Sequence, residues 1–438
     1  MSEPRGRVPV VAERLWVTRT TELVATLERN GDDQLRLIYQ PDLVKSRAEL
    51  PVISTSLPVR EAPYTQSELL PFFEGLLPEG SARDRLAVRL RLEPNDVFGF
   101  LREIGRDCAG AYSIVPEGTD LEAARHEGVE WLNADQLAET VSELATRPLA
   151  VEPGEDIRIS LAGAQDKMAV VRDGERIGLP RGTTPSTHIL KPSSSERRGR
   201  RGRELAYPGL VANEGFCMTL ARESGIAAPD VSVIDIGGDP ALLISRYDRA
   251  SRNAQVERIH QEDLCQALGV PGRLKYEKDG GPDAGRYVSL LNRWSVDVAD
   301  DVPELIDRIA FNYLIGNSDA HAKNFSILHQ DGVRLAPAYD LLSTHVYGHL
   351  TKDMATSING MFDPRAIQPV HWRKEMAKLD LSVRLYASRL ARLADRVEER
   401  LSAAVSWIET HSLANRQIER IIALVHERAD VLRGIEGD

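Results

Sequence analysis

Asp319 and Asn324 stand five positions apart in the segment Asn312 to Ser326, NYLIGNSDAHAKNFS. A carboxylate and a carboxamide at D-x-x-x-x-N spacing suit phosphoryl transfer from a nucleoside triphosphate. In such a loop the Asp takes the proton of the attacking hydroxyl. The Asn carbonyl oxygen and a second Asp hold magnesium ions against the triphosphate. Asp340, in the stretch Leu335 to Ser343, supplies that second carboxylate. Phe325 to Leu328 and Val333 to Leu335 flank an Asp331-Gly332 turn, which predicts a β-hairpin able to return Asp340 towards Asp319.

Three upstream stretches could hold the nucleotide, and they occur in the order a kinase requires. In Ser160 to Lys167, Ala162, Gly163 and Ala164 are small enough for backbone N–H groups to approach a phosphate, with Gln165, Asp166 and Lys167 following. The stretch is neither a Walker A motif nor G-x-G-x-x-G, and alone it equally describes a tight turn between strands. Lys191 ends the apolar strand Thr187 to Lys191, where a kinase places the lysine for the α- and β-phosphates; a solvated edge lysine is the alternative. Ser245, Arg246 and Tyr247 follow another apolar strand, where a hinge would meet adenine through its backbone.

His321 makes the catalytic stretch D-x-H-x-x-N, nearer to phosphoinositide-kinase loops than to protein kinases. Ser318 precedes the Asp, so there is no H-R-D, and Leu341 follows Asp340, so there is no D-F-G. A phosphate-binding or loop-ordering role is expected for His321. Lys323 either neutralises the transferring phosphate or faces solvent.

The elements that must position these groups fall into a β-rich part and a helical part. Arg14–Thr18, Gln34–Tyr39, Val52–Leu57 and Gly110–Val115 read as strands, and Ser67–Leu86, Asp96–Ile104 and Ala134–Ala145 as helices. Short strands follow at Met168–Arg172, Arg176–Leu179, His188–Lys191, Val231–Ile236 and Ala241–Arg246, interrupted by a helix over Glu214–Ser224 that Gly225 closes. Beyond about residue 250 helices dominate. Leu390, Leu393, Val397, Leu401, Val405 and Ile408 form one stripe, and Ile418, Ile422, Val425 and Leu432 another, both suited to core packing. The expected fold is α+β, two-lobed and phosphoinositide-kinase-like, with parts at 1–115, 116–250 and 251–438.

Composition sets limits on the function. A chain of 438 residues, 42% hydrophobic and 28% charged, suits a soluble protein of two or three domains. A net charge of −11 argues against broad nucleic-acid affinity. Cys108, Cys217 and Cys265 lie far apart without C-x-x-C spacing, which excludes a disulfide framework or zinc ribbon and fits a reducing compartment. With no membrane-length apolar run and no secretory start at Met1–Arg5, a cytoplasmic location and no membrane partner are expected. The basic insertion 193–203 predicts a mobile loop that docks an acidic or tRNA-bearing substrate, or one that is merely solvated.

The chain resembles the HipA family, the serine/threonine kinase toxins of bacterial toxin–antitoxin pairs. Matching stretches include Phe73–Pro78, Arg83–Arg85, Glu103–Asp107, Gly110-Ala111, Ser160–Lys167, Thr187–Lys191 and Asn213-Glu214 with Cys217. Further matches are Arg246–Arg249, Gln261–Gln266, Lys275–Glu277 with Gly280–Pro282, the Asp319 loop and Tyr339-Asp340. The resemblance implies ATP and Mg2+ as cofactors and Asp319 as proton acceptor, aided by His321 and Lys323. It implies Asn324 and Asp340 as metal ligands, Ala162 to Lys167 over the phosphates, Lys191 gripping them, and Ser245 to Tyr247 at adenine. His321, Ala322, Lys323, Asn324, Tyr339 and Asp340 complete that site.

It further implies an aminoacyl-tRNA synthetase as substrate, typically the glutamyl enzyme, with growth arrest as the outcome. Self-phosphorylation at Ser160 would switch the kinase off, since a phosphate adds roughly −1.5 to −2 charges beside the ATP phosphates. The implied partner is a HipB-like helix-turn-helix antitoxin, with operator DNA reached mainly through it. Ile367–Lys378, where some relatives carry a lysine-rich DNA contact, holds only Arg373, Lys374 and Lys378. Two other classes compete: a pseudokinase acting as an antitoxin-bound corepressor, and a phosphohydrolase using Asp319, His321 and Asp340.

Overall fold

Leu15 and Val17 are buried while Glu13, Arg14 and Arg19 are exposed, the alternation of a half-buried strand. They belong to β1 (Glu13–Arg19), which pairs with β2 (Glu22–Arg29). β3 (Leu35–Tyr39), α1 (Pro41–Arg47) and β4 (Tyr64–Thr65) follow, then α2 (Gln66–Gly75), α3 (Gly80–Leu90), α4 (Val97–Ile104) and β5 (Tyr112–Pro116). The sheet order is β4-β3-β2-β1-β5. The computed structural model describes residues 12–125, 128–144, 167–193, 207–252, 255–413 and 416–436.

Two expectations for this region need correction. Ser67–Leu86 is not one helix but α2 and α3, because Pro78 cannot donate a helical hydrogen bond and disfavours helical backbone at Leu77. The break leaves Glu79 with extended backbone before α3 and without a capping hydrogen bond, so its carboxylate is available elsewhere. Val52–Leu57 is not a strand but an irregular segment with one isolated bridge, Ser54 to Leu57. Its polar groups are spent across the molecule: Thr55 N–H donates to Glu262 Oε1 at 2.9 Å, and the Ser56 hydroxyl to the Gln266 carbonyl at 2.7 Å.

The second stretch contains α5 (Leu121–Arg125), β6 (Val129–Leu132), α6 (Ala134–Glu143), β7 (Met168–Asp173), β8 (Arg176–Pro180) and β9 (His188–Pro192). α7 (Leu210–Glu223), β10 (Val231–Ile236) and β11 (Asp239–Ser245) complete it. The strands form an antiparallel sheet in the order β10-β11-β9-β7-β8-β6. β9 is thus an interior strand, and Lys191, opposite Leu242 of β11, is no edge lysine. One apolar cluster runs through Leu15, Phe73, Val170, Leu190 and Leu243, so the first two sheets share a core.

The third stretch holds β12 (Arg249–Arg252), β13 (Gln255–Arg258), β14 (His260–Asp263), α8 (Leu264–Ala267), α9 (Ala284–Trp294) and α10 (Val298–Ile315). The expected hairpin is present as β15 (Ser326–His329) and β16 (Val333–Leu335), and β14 joins it in the order β14-β15-β16. α11 (Pro369–Lys378), α12 (Val383–Thr410) and α13 (Arg416–Arg433) close the chain. Leu390, Leu393, Val397, Leu401 and Ile408 of α12 are buried with Ile418, Val425 and Leu432 of α13 in a second core that also takes α7, α9 and α10. The fold is α+β, β-rich first and mainly helical afterwards, as expected from the sequence.

A buried charge cluster fastens the parts together. Asp107, after α4, pairs with Arg249 at 3.0 Å and Arg258 at 2.8 Å, and accepts from Ser186 at 2.7 Å. Arg246 and Arg249 also pair with Asp248 at 2.6 and 2.8 Å. Burial pushes the Asp107 carboxyl upward, but Arg258, Arg249 and Arg246 together hold it below the usual carboxylate range. Removing one partner of a buried pair strands the other charge, so Asp107→Ala is expected to lose about 3–5 kcal/mol of stability in urea denaturation. A loss below about 1 kcal/mol, the ordinary value for an exposed pair, would contradict this account.

Candidate active site

The interior position of β9 delivers Lys191 into a cavity of about 700 Å³ lined also by Lys167, Tyr247, Asp319, Asn324 and Asp340. Its ammonium donates to Glu214 Oε1 at 2.6 Å and also to Asp340 Oδ1. Glu214 comes from the first half of α7, whose residues from Leu210 to Met218 are all buried. A Cβ on Gly215 would come within 2.4 Å of the Trp407 ring, so glycine there lets α7 close on α12 and fixes its neighbour Glu214. Burial pushes the Lys191 ammonium down, but Asp340 and Glu214 outweigh it and hold the proton tightly. Burial likewise opposes ionisation of Asp340, yet Lys191 and Lys167 keep its carboxyl well below the usual range. Asp340 itself has left-handed backbone, φ +54°, a conformation that is uncommon for a residue with a side chain.

The stretch around Asp319 is held from several sides. Gly316 ends α10 with φ +73°, the left-handed position that glycine favours. Asn317 then bonds Asn312 Oδ1 at 2.8 Å and accepts from Asp319 N–H at 3.1 Å. Ser318 N–H donates to Thr344 Oγ1, and its hydroxyl meets His345 Nε2, both at 2.8 Å. The Asn324 amide nitrogen donates to the Asp319 carbonyl at 2.9 Å, which leaves Asn324 Oδ1 for a cation. The Asp319 side chain keeps 54% of its surface exposed beside a His321 side chain that keeps 7%. A carboxylate so exposed is within reach of a hydroxyl brought in from outside.

His321 Nε2 lies 4.0 Å from Asp319 Oδ1, and its buried Nδ1 has no hydrogen-bond partner. Burial pushes the imidazole down to about 4, so it is neutral at pH 7. An orphaned buried nitrogen in a cavity wall calls for a polar occupant, which fits a phosphate or its water shell. Lys323 does not face solvent. It donates to Asp263 Oδ2 at 2.7 Å and sits 3.4 Å from Glu79 Oε1, so a phosphate would have to compete with two carboxylates. Ala322 and Lys323, with Asn324, form a short 3-10 turn.

At the adenine end, Ser245 N–H donates to Asp230 O and Arg246 N–H to Thr187 O, each at 2.9 Å. The Arg246 guanidinium is committed to Asp248. These two N–H groups are therefore spent as donors, and an adenine hinge at this segment would draw its N–H from Tyr247. Its ring stacks on Tyr339 at 5.7 Å and 30°. Tyr339 is anchored by its hydroxyl to the Lys323 carbonyl at 2.7 Å.

Asn324 Oδ1 and Asp340 are hard oxygen donors suited to Mg2+. Among the described residues no three His, Cys, Asp or Glu converge as a metal cage. Mg2+ needs none, because it takes most of its ligands from phosphate and water. Ser160, Ala162, Gly163, Ala164, Gln165, Asp166 and residues 194–203 of the basic insertion lie outside the described residues. Lys167, at the foot of β7, is described and buried.

Motif reading assigned no role to Glu79, Glu214, Asp263, Lys275 or Tyr276, all of which line this cavity or grip its residues. Glu214 carried a signal, an acid set among Val211, Ala212, Phe216, Cys217 and Met218. Tyr276 lay in the matching stretch Lys275–Glu277, which named no role for it, and Glu79 carried no signal, because its partners are remote in sequence.

The model of the HipA-like C-terminal domain matches residues 159–405, and that of the HipA N-terminal domain matches residues 15–115. "Putative kinase Y4mE" of Sinorhizobium fredii is 35% identical over 93% of this chain and 95% of its own length. The serine/threonine-protein kinase toxin HipA of Shewanella oneidensis is 30% identical over 78% of each chain. A solved Shewanella oneidensis HipA, in complex with HipB and operator DNA, superposes with a TM-score of 0.82 at 26% identity, covering 97% of this chain and 99% of that one.

His321 yields a test of the site's electrostatics. Unfolded, its imidazole binds a proton near pH 6.5; folded, it does so only near 4. The unfolded state holds the extra proton within that window, so lowering the pH through it costs stability. The NMR titration of His321 in the ligand-free protein is expected to have its midpoint near pH 4, and a midpoint at or above 6.5 would contradict the buried, neutral ring.

Proposed function

The chain belongs to the HipA family, and from that premise we propose that it is a Mg-ATP-dependent serine/threonine protein kinase, the toxin of a HipBA-type module. The observation that carries this is the Lys191–Glu214–Asp340 centre, in which Lys191 and Glu214 are buried and from which Lys191 and Asp340 line one cavity with Asp319 and Asn324. A lysine on an interior strand paired to a helical Glu is the arrangement kinases use to hold α- and β-phosphates. A module that only bound a repressor would have no use for it.

Bound Mg-ATP would supply the γ-phosphoryl group and the charge neutralisation that its transfer needs. Asp340 and Asn324 would hold the metal. Lys191 and Lys167 would grip the phosphates, and Asp319 would accept the proton of the acceptor hydroxyl. Tyr247 and Tyr339 would line the base. The alternating charges of the lysines and carboxylates already balance one another, so incoming phosphates and metal can exchange for existing partners without stranding a buried charge.

The acceptor in this proposal is a serine of an aminoacyl-tRNA synthetase, the glutamyl enzyme by family default, and its modification arrests growth. Ser160 is the proposed self-phosphorylation site. The partner is a HipB-like antitoxin, as in the solved Shewanella oneidensis complex. Operator DNA is reached mainly through that partner. In keeping with this, Arg373 donates to the Ile435 carbonyl at 3.0 Å, and Lys378 pairs with Asp283 at 3.3 Å, so two of the three cations of α11 are engaged internally.

Intact mass during Mg-ATP incubation tests the activity. Native protein should gain one phosphate, mapped to Ser160, and Asp319→Ala should slow transfer by roughly 10²–10⁴-fold, the usual contribution of a general base. Undiminished transfer by the variant would remove Asp319 from the base role. Ser160→Ala should keep its activity towards a synthetase panel through a pre-incubation with ATP that silences the native chain. Equal decay of the two would end the self-inhibition proposal.

A further inference from the structure

The Tyr276 hydroxyl donates to Asp319 Oδ1 at 2.5 Å. No other side chain among the described residues hydrogen-bonds this carboxylate, and His321 stays 4.0 Å away. The ring of Tyr276 stands edge-on to His321 at 5.0 Å and 83°. Burial, and then the neighbouring Asp319 charge, push the phenol well above its ordinary range, so Tyr276 remains a donor at any working pH.

The segment carrying Tyr276 is built to hold it still. Just before it, the Lys275 carbonyl accepts from Ala322 N–H at 3.1 Å, tying the segment to the catalytic turn itself. Just after it, the Glu277 carboxylate accepts from both Ser357 N–H and the Ser357 hydroxyl at 2.6 Å. The Tyr276 carbonyl accepts from Gly281 N–H at 2.9 Å. A Cβ on Gly281 would lie 2.1 Å from the Leu274 carbonyl oxygen, so the backbone folds on itself there with no room for a side chain. Lys275 meanwhile donates to Glu79 at 2.9 Å. A tyrosine on a segment pinned at both flanks cannot swing aside cheaply, which separates it from a lid.

We propose that Tyr276 is a positioning residue for phosphoryl transfer: its hydroxyl fixes Asp319 Oδ1 and so makes Oδ2 the atom that meets the acceptor hydroxyl. This rests on the kinase function proposed above. A carboxylate on an exposed stem has several rotamers, and only one of them sets a given oxygen at the acceptor. One charge-assisted hydrogen bond selects it, as a third group orients the base in other catalytic arrays. Tyr276 touches neither nucleotide nor acceptor in this scheme, so its loss should appear in the rate of transfer and not in ATP affinity.

Tyr276→Phe keeps the ring and its contact with His321 and removes only the hydroxyl. With Mg-ATP and the protein's own phosphoacceptor serine as substrate, followed by intact mass, the saturating rate should fall about ten- to a hundredfold. The half-saturating ATP concentration should stay that of the native chain. Tyr276→Leu, which also removes the ring, should lose at least as much rate. A native rate for Tyr276→Phe would overturn the inference while leaving the kinase reading standing. A faster variant would also overturn it, showing that the hydroxyl obstructs the acceptor instead of orienting the base. A raised half-saturation with unchanged saturating rate would reassign Tyr276 to ATP binding. A native chain that incorporates no phosphate would bring down the kinase reading and this inference with it.

Discussion

The ammonium of Lys191, buried between Glu214 and Asp340, is the interaction on which this site depends. Desolvating an ion costs several kcal/mol, and the cost is met only when geometry and partners are in place. The requirement reaches outward from the site. Lys191 must lie on an interior strand to be buried, α7 must be covered from Leu210 to Met218 to bury Glu214, and Gly215 must be small for α7 to seat against Trp407. Asp340 must take left-handed backbone to bring its carboxylate to Lys191. Each of these features is unfavourable or unusual alone, and the shared charge centre gives all of them one cause.

A second constraint ties the N-terminal part to the catalytic turn. Glu79, freed by the Pro78 break, grips Lys275 and Lys323, and Lys323 also reaches Asp263 at 2.7 Å. Asp263 does two tasks at once, since its other oxygen accepts from Gln266 N–H and starts α8. Gln266 in turn donates to the Phe72 carbonyl at 2.8 Å, and Ile53 O meets His260 Nε2 at 2.6 Å. The turn that carries Asn324 is therefore fastened from behind by residues more than 200 positions away. The N-terminal part thus braces the turn that carries Asn324.

Much of the architecture was legible because its signals are local. The hairpin of β15 and β16 shows in an Asp-Gly turn between apolar runs, and α12 and α13 show in their stripes. The Asp319–Asn324 spacing is local too, since one 3-10 turn sets it. What was missed is long-range or depends on burial. α7 begins at Leu210, a full turn before Glu214, because a helix buried on every side through Met218 has no amphipathic edge to mark its start. β6 is a strand only because β8 pairs with it. Val52–Leu57 has the alternation of a strand, but the hydroxyls of Ser54, Ser56 and Thr55 are drawn to Glu262, Gln266 and Ala267. Tyr276 and Asp319 are 43 positions apart, and nothing in either neighbourhood announces the other.

The two ends of the cavity differ in a way that suits the tasks proposed for them. At the end proposed for the phosphates, Lys167, Lys191 and Glu214 are buried, Asp340 is one-third exposed and Lys191 already pairs with both carboxylates, so incoming charge could exchange partners there with little rearrangement. Such preorganisation is what a transfer reaction governed by electrostatics rewards. At the other end Asp319 is half exposed, as the proposed function would need if a protein substrate is to bring its hydroxyl in from outside. Exposure weakens the geometric control that burial supplies elsewhere, since a solvated carboxylate gains little from its neighbours and keeps its rotational freedom. A fixed donor such as Tyr276, on a segment hydrogen-bonded to Ala322 and Ser357, restores that control without closing the entrance. Orientation by a single hydrogen bond is thus the form of control that remains compatible with an open acceptor site.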